Sequence, residues 1–189
     1  MKEINFYKYN RIFGIIAGLF SFVIFSLTVE PTASYWDCAE YISTSAKLQI
    51  GHPPGAPLFQ MLGAIFSILA FDVTQIAYAV NMMSVTSSAL TIMFLFWSIS
   101  LIAKEILKVK EIVKVSEAIK IFGSSFLGSI TFTFTDSFWY NAVEAEVYAM
   151  ATLILALLFW LGLKWVDDFG KVRSDKWLIL ISFEIGRAH

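Results

Sequence analysis

The chain has a single cysteine, Cys38, which excludes an intramolecular disulfide, a CxxC redox pair and a zinc ribbon. Charge is scarce as well: 15% of the 189 residues are Asp, Glu, Lys or Arg, against about 25% in soluble domains. Lys and Arg number 14 and Asp and Glu 15, so the basic excess that marks a nucleic-acid partner is absent. There are only four prolines, and three of them, Pro53, Pro54 and Pro57, are nearly adjacent. No nucleotide loop, Ser-His-Asp order or HExxH signature occurs.

What fills the chain is apolar. It is 58% hydrophobic, with a mean hydropathy of +0.70 and runs at about 12–29, 57–71, 76–103, 121–139, 147–166 and from 177 onward. Runs of about 20 residues suit a bilayer crossing, so an all-α, multi-span integral membrane protein is predicted. The first run follows Lys2, Lys8 and Arg11, but it is longer than the signal-peptide core of about 7–15 residues. Glu30-Pro31-Thr32 also offers no small-x-small cleavage site, so the run is read as an uncleaved first span. Glu184-Ile185-Gly186-Arg187-Ala188-His189 breaks off the last run and matches the translation of a common sequencing-library adapter. It is expected to be read-through, with the natural chain continuing past Phe183 and Arg187 and His189 carrying no function.

Run 57–71 is too short to span, and charge placement assigns its role. If it lies along the outer surface, twelve Lys and Arg fall inside: three before 12, five in 104–120 and four in 164–176. Lys47 alone is then outside, as the positive-inside rule prefers. The predicted topology has a cytoplasmic N-terminus and spans at 12–29, 76–103, 121–139 and 147–166, with a truncated fifth from 177. An external loop, 30–75, carries an interfacial or re-entrant helix from Pro57. Segment 104–120, with lysines interleaved by Glu105, Glu111 and Glu117, is predicted to be a solvated helix at the membrane edge. Abundant lysine, isoleucine and phenylalanine suggest an AT-rich bacterial genome, and so a bacterial inner membrane.

The polar groups gather on the external side. Asp37 and Glu40, three apart, share a helix face. Ser34-Tyr35-Trp36-Asp37 also has capping spacing, so Asp37 is either a cap or a functional carboxylate. His52-Pro53-Pro54-Gly55-Ala56-Pro57 holds an imidazole on backbone that proline restricts, ahead of a helix starting near Pro57. The histidine is either functional or incidental to that turn. Glu144 and Glu146, two apart, would point in different directions on a helix, and Asn141 to Glu144 again has capping spacing. Trp139 and Tyr140 fit an interfacial belt, and Asp136 a solvated loop. Asp37, Glu40, His52 and Glu144 could in principle bind a divalent ion, although nothing in their spacing requires one.

The pattern Trp36-Asp37-x-x-Glu40, Gly51-His52-Pro53-Pro54-Gly55-x-Pro57 and Phe138-Trp139-x-x-Ala142-Val143-Glu144-x-Glu146-Val147-Tyr148 resembles the domain of unknown function 2723 family. That family includes transmembrane protein 260-like protein O-mannosyltransferases. More distantly, the chain is similar to GT-C glycosyltransferases, in which an acidic residue of the first external loop precedes a Pro-Pro motif and a juxtamembrane helix. The resemblance implies inverting transfer of a sugar from a polyprenyl-phosphate carrier to a protein or glycan hydroxyl. It implies Asp37 as general base, Glu40 supporting it or orienting the acceptor, and His52 as donor to the leaving phosphate. Glu144 and Glu146, with Trp36, Pro53, Pro54 and Gly55, would complete the substrate pocket. It also implies later spans and contacts that this N-terminal stretch lacks, so the stretch alone is expected to be inactive. Two other classes are an ion-coupled transporter, which mid-span carboxylates would favour, and a non-catalytic membrane assembly subunit.

Overall fold

The computed structural model describes residues 2–34, 36–172 and 174–187, side chains 186 and 187 excepted. Tyr35 of the Ser34–Asp37 stretch, and Ala188 and His189 of the adapter-like hexapeptide, lie outside them. Among the described residues the order is β1 (Glu3–Asn5), α1 (Phe6–Thr28), α2 (Cys38–Lys47), α3 (Pro57–Ile68), α4 (Ile76–Ile106), β2 (Ile112–Lys114), α5 (Val115–Thr133), α6 (Asp136–Val143), α7 (Val147–Asp167) and α8 (Lys176–Arg187).

Among the described residues three helices are long and apolar enough to cross a membrane: α1 with 23 residues, Val73–Ile106 with 34 and α7 with 21. At about 1.5 Å per residue each exceeds the ~30 Å hydrocarbon core. The protein is a multi-span, nearly all-α membrane protein, as its composition predicts. Helix α3 has 12 residues, about 18 Å, and falls short of a crossing. It begins at Pro57, whose missing N–H costs a helix nothing at that position.

Two stretches differ from the sequence prediction. The apolar run 121–139 is divided: α5 ends at Thr133, Thr135 is extended (φ −76°, ψ 135°) and α6 starts at Asp136. Helix α5 carries Glu117 and Lys120 in its first two turns and is not among the three spanning helices. Segment 104–120 is not one helix either. Helix α4 stops at Ile106, Lys108 takes a left-handed conformation (φ 51°), and β2 follows. Ile112 and Val113, β-branched residues that suit a strand, pair antiparallel with Asn5 and Ile4. Spacing within 104–120 could not reveal a partner at the other end of the chain.

The chain divides into two compact units. One holds residues 1–20, 90–133 and 154–189. In it Phe6 and Phe122 stack at 5.5 Å and Phe13 lies 5.3 Å from Phe122. Asp167 accepts from the Tyr7 hydroxyl (2.9 Å), Lys164 (3.1 Å) and Lys104, so Lys104, read from sequence as part of a solvated helix, is paired. The other unit holds residues 21–89 and 134–153. There α2 packs on α3, and Phe25 and Phe138 form an edge-on pair at 5.9 Å. Trp139, predicted for an interfacial belt, packs edge-on against Phe25 at 5.5 Å. Every candidate site residue belongs to this second unit.

Candidate active site between the first and second long helices

The site starts where α2 starts. Trp36 precedes it in a left-handed conformation (φ 64°), which costs an L-residue about 1–2 kcal/mol. The Trp36 side chain is 94% exposed. Asp37 occupies the position just before the helix, yet its side chain makes no capping hydrogen bond. Of the two sequence readings, the structure removes the cap: Ser34 Oγ donates instead to Glu144 Oε2, and the Asp37 carboxylate is 54% exposed.

Glu40, one turn later, is committed to His52. Its Oε1 accepts the His52 backbone N–H at 2.6 Å and its Oε2 lies 3.1 Å from Nδ1. With the ring turned this way, Nε2 points toward Asp37 Oδ2 at 3.9 Å. Gly51 makes the approach feasible, because a Cβ there would lie 3.0 Å from Glu40 Oε1 and 3.1 Å from Gln60 Nε2. The turn closes with Gly55 N–H donating to the His52 carbonyl at 2.9 Å, and Gly55 has the positive φ (81°) that glycine tolerates. The Pro53–Pro54 peptide is cis. Pro53, Pro54 and Gly55 are exposed and shape this turn.

Glu144 and Glu146 are not helical, as the sequence reading supposed. They lie between α6 and α7, with Glu144 extended (φ −134°, ψ 159°). Asn141 sits inside α6 and donates to the Ser137 carbonyl, so the Asn141–Glu144 capping box does not form. Asp136 opens α6 and is exposed. Glu144 holds Ser34, while Glu146 is 8% exposed. The stretch after α1 is held by Glu30 N–H to the Val143 carbonyl (2.9 Å) and by Asn81 on α4. Asn81 is fully buried, and its Nδ2 donates to the carbonyls of Glu30 (2.6 Å) and Thr32 (2.9 Å).

The electrostatics follow from these contacts. The two N–H groups of His52 hold Glu40 below its ordinary 4.5, and in return Glu40 raises His52 above 6.5. Burial raises Glu146, helped by the charges of Asp37 and Glu144. Asp37 thus presents an uncapped, half-exposed carboxyl group 3.9 Å from the Nε2 of an imidazole raised above its ordinary pKa. Asp37, Glu40 and His52 each offer a donor atom within 4.8 Å of the others, a spacing that a divalent cation can bridge. Because Glu40 is engaged by His52, Asp37 and Nε2 are the donors left for one.

The predicted residues Asp37, Glu40 and His52 thus meet; Glu144 serves the loop and Glu146 is buried. Sequence reading missed Asn81 and Tyr41, and it named Ser34 for its capping spacing and Gly51 within the motif without the contacts they make here. Asn81 left a signal, being an amide inside the apolar run 76–103. The Tyr41 ring lies 6.1 Å from that of His52, which spacing alone does not show.

Comparison with known proteins agrees with the motifs. The family model described as the Protein O-mannosyl-transferase TMEM260 N-terminal domain matches residues 37–188, beginning at Asp37. The chain is 27% identical over 141 residues to the Protein O-mannosyl-transferase tmem260 of Dictyostelium discoideum, covering 74% of this chain and 15% of that protein. It is 23% identical over 163 residues to the Protein O-mannosyl-transferase TMEM260 of Mus musculus, covering 86% of this chain and 21% of that protein. The chain therefore spans about a fifth or less of these relatives. No solved structure matches it. With four-fifths of its length under one family model, the chain belongs to the TMEM260 N-terminal domain family.

Proposed function

We propose that this chain carries the catalytic-base side of a GT-C-type membrane glycosyltransferase, moving a sugar from a polyprenyl-phosphate carrier to an acceptor hydroxyl with inversion. Protein O-mannosylation is the form of that reaction named for both relatives. The observation that carries the proposal is the Asp37 carboxylate, uncapped and exposed, beside the Glu40–His52 pair. Asp37 takes the acceptor proton as the hydroxyl oxygen attacks the anomeric carbon, and the carbon–phosphate oxygen bond breaks with its electrons on the phosphate. His52 is oriented by Glu40 through Nδ1, so Nε2–H of the imidazolium faces the site and donates to the departing phosphate. Glu146 completes the acidic wall. A divalent cation, if bound, would instead be held by Asp37 and the lone pair of a neutral His52 Nε2, and it would take the place of the Nε2–H donor in neutralising phosphate charge.

An apolar groove of about 760 Å³ in the same unit, lined by Phe22, Pro31, Phe66, Leu69, Tyr78 and Met82, suits the polyprenyl chain. Glu40 and the other site carboxylates lie outside the three long apolar helices, which weighs against an ion-coupled transporter. The site faces the external side and the N-terminus the cytosol, supported by the lysine distribution. A reporter fusion at Ser45 is expected to read external and one at Ser116 cytosolic; the reverse contradicts this topology. A bacterial inner membrane rests on residue usage alone, since both relatives are eukaryotic. The present stretch by itself is expected to be inactive, because the relatives extend far beyond it.

Supplying the full-length protein with a polyprenyl-phosphate sugar and an acceptor peptide tests the reaction. A product of opposite anomeric configuration to the donor is expected; retained configuration overturns the inverting mechanism.

A further inference from the structure

A phosphate that gains charge among carboxylates needs hydrogen-bond donors, and this region has few. Residues 30–75 contain one Lys or Arg, Lys47. It ends α2, ten residues from Asp37, or about 15 Å along the axis. His52 is one donor, but Asp37 competes for it.

Tyr41 is placed to be another. It follows Asp37 by one helical turn, its N–H bonded to the Asp37 carbonyl at 2.9 Å, so the two project from the same face of α2. Its ring sits 6.1 Å from His52 and 5.2 Å from Phe59, itself 2% exposed, so packing fixes the ring. The hydroxyl, in contrast, makes no hydrogen bond to another described residue. Burial, then the nearby charges of Glu146, Asp37 and Glu40 and the Tyr148 phenol, raise Tyr41 above the ordinary phenol value. It keeps its proton at neutral pH. A lysine here would pair with Asp37 or Glu40 and quench the base; a neutral phenol donates without doing so.

We propose that the Tyr41 hydroxyl is a catalytic hydrogen-bond donor to the phosphate oxygen that leaves the sugar. The inference rests on the glycosyl transfer proposed above. In that step the acceptor oxygen bonds to the anomeric carbon and its proton passes to Asp37. The bond from the anomeric carbon to the phosphate oxygen breaks, and its electron pair stays on that oxygen. Tyr41 transfers no proton; its hydrogen bond strengthens as charge accumulates, so it acts on the transition state more than on bound substrate.

The test compares Tyr41→Phe and Asp37→Asn in the full-length protein, with a polyprenyl-phosphate sugar as donor. Tyr41→Phe keeps the ring packing and is expected to lower kcat roughly 100-fold, with the donor KM nearly unchanged. An unaltered kcat overturns the role of Tyr41, as does a raised KM with kcat intact, which marks a ground-state contact. Asp37→Asn separates the two claims: if it transfers sugar normally, the transfer reaction itself is misassigned. If it is dead while Tyr41→Phe is normal, Tyr41 alone is misassigned. Should Tyr41→Phe not accumulate, a difluorotyrosine at position 41 decides. Its more acidic hydroxyl is expected to move the alkaline limb of the rate profile to lower pH; an unmoved limb overturns the proposal.

Discussion

Glu40 holds His52 at two points, the backbone N–H at 2.6 Å and Nδ1 at 3.1 Å. The double contact joins α2 to the turn of residues 52–55, fixes which ring nitrogen faces Asp37, and makes the two side chains titrate against each other.

That mutual titration has a sign. Glu40 lies below its ordinary 4.5, so its contribution is present above that value and lost as pH falls through the depressed one. His52 lies above its ordinary 6.5, so its contribution is present below that value and lost as pH rises through the raised one. The contact is at full strength between 4.5 and 6.5. Glu40→Gln is expected to lower the His52 pKa toward 6.5, read by NMR titration of labelled histidine. An unchanged value would show that Glu40 does not set the imidazole.

Gly51 and Gly55 make a contrasting pair. Gly51→Ala puts a methyl 3.0 Å from Glu40 Oε1 and 3.1 Å from Gln60 Nε2, and is expected to displace Glu40 from His52. Gly55→Ala meets nothing within 4 Å and suffers only from its φ of 81°, a cost of about 1 kcal/mol. The His52 titration should therefore shift in Gly51→Ala and stay in Gly55→Ala.

Asn81 ties α4 to the stretch after α1. Asn81→Ala leaves the carbonyls of Glu30 and Thr32 without their donor, an expected loss of about 1–3 kcal/mol. Ser34→Ala removes a single contact and should cost about 0.5–1.5 kcal/mol. Thermal unfolding in detergent ranks the two, and equal midpoints would contradict the assignment.

The two glutamates before α7 should separate under mutation. Burial and the Asp37 charge raise Glu146, so Glu146→Gln is expected to remove an acid-side inflection from the rate profile of the full-length protein. Glu144→Gln keeps an oxygen for Ser34 and should leave that profile in place. An inflection that survives Glu146→Gln belongs to another group.

What the chain revealed before folding followed local rules. The helix from Pro57, the long apolar helices and the polar motifs all depend on residues close in sequence. The break falls at Thr135-Asp136-Ser137, polar residues that the reading of 121–139 as one apolar run passes over, and β2 stayed hidden because its partner is β1. Asp37 was undecided between cap and catalyst, since i to i+3 spacing serves both. What removes the cap reading is that Asp37 makes no capping hydrogen bond and that Ser34 turns to Glu144, 110 residues away. The Glu40–His52 contact was within reach of motif reading, but its geometry depends on Gly51 and on the packing of α2 against α3.

Sugar transfer by the full-length protein carrying Asp37→Asn, at matched expression and folding, tests the central claim most directly. A general base contributes about 10²–10⁴-fold, so transfer is expected to fall by that order with donor binding retained. Transfer at the unmutated rate would contradict Asp37 as the base.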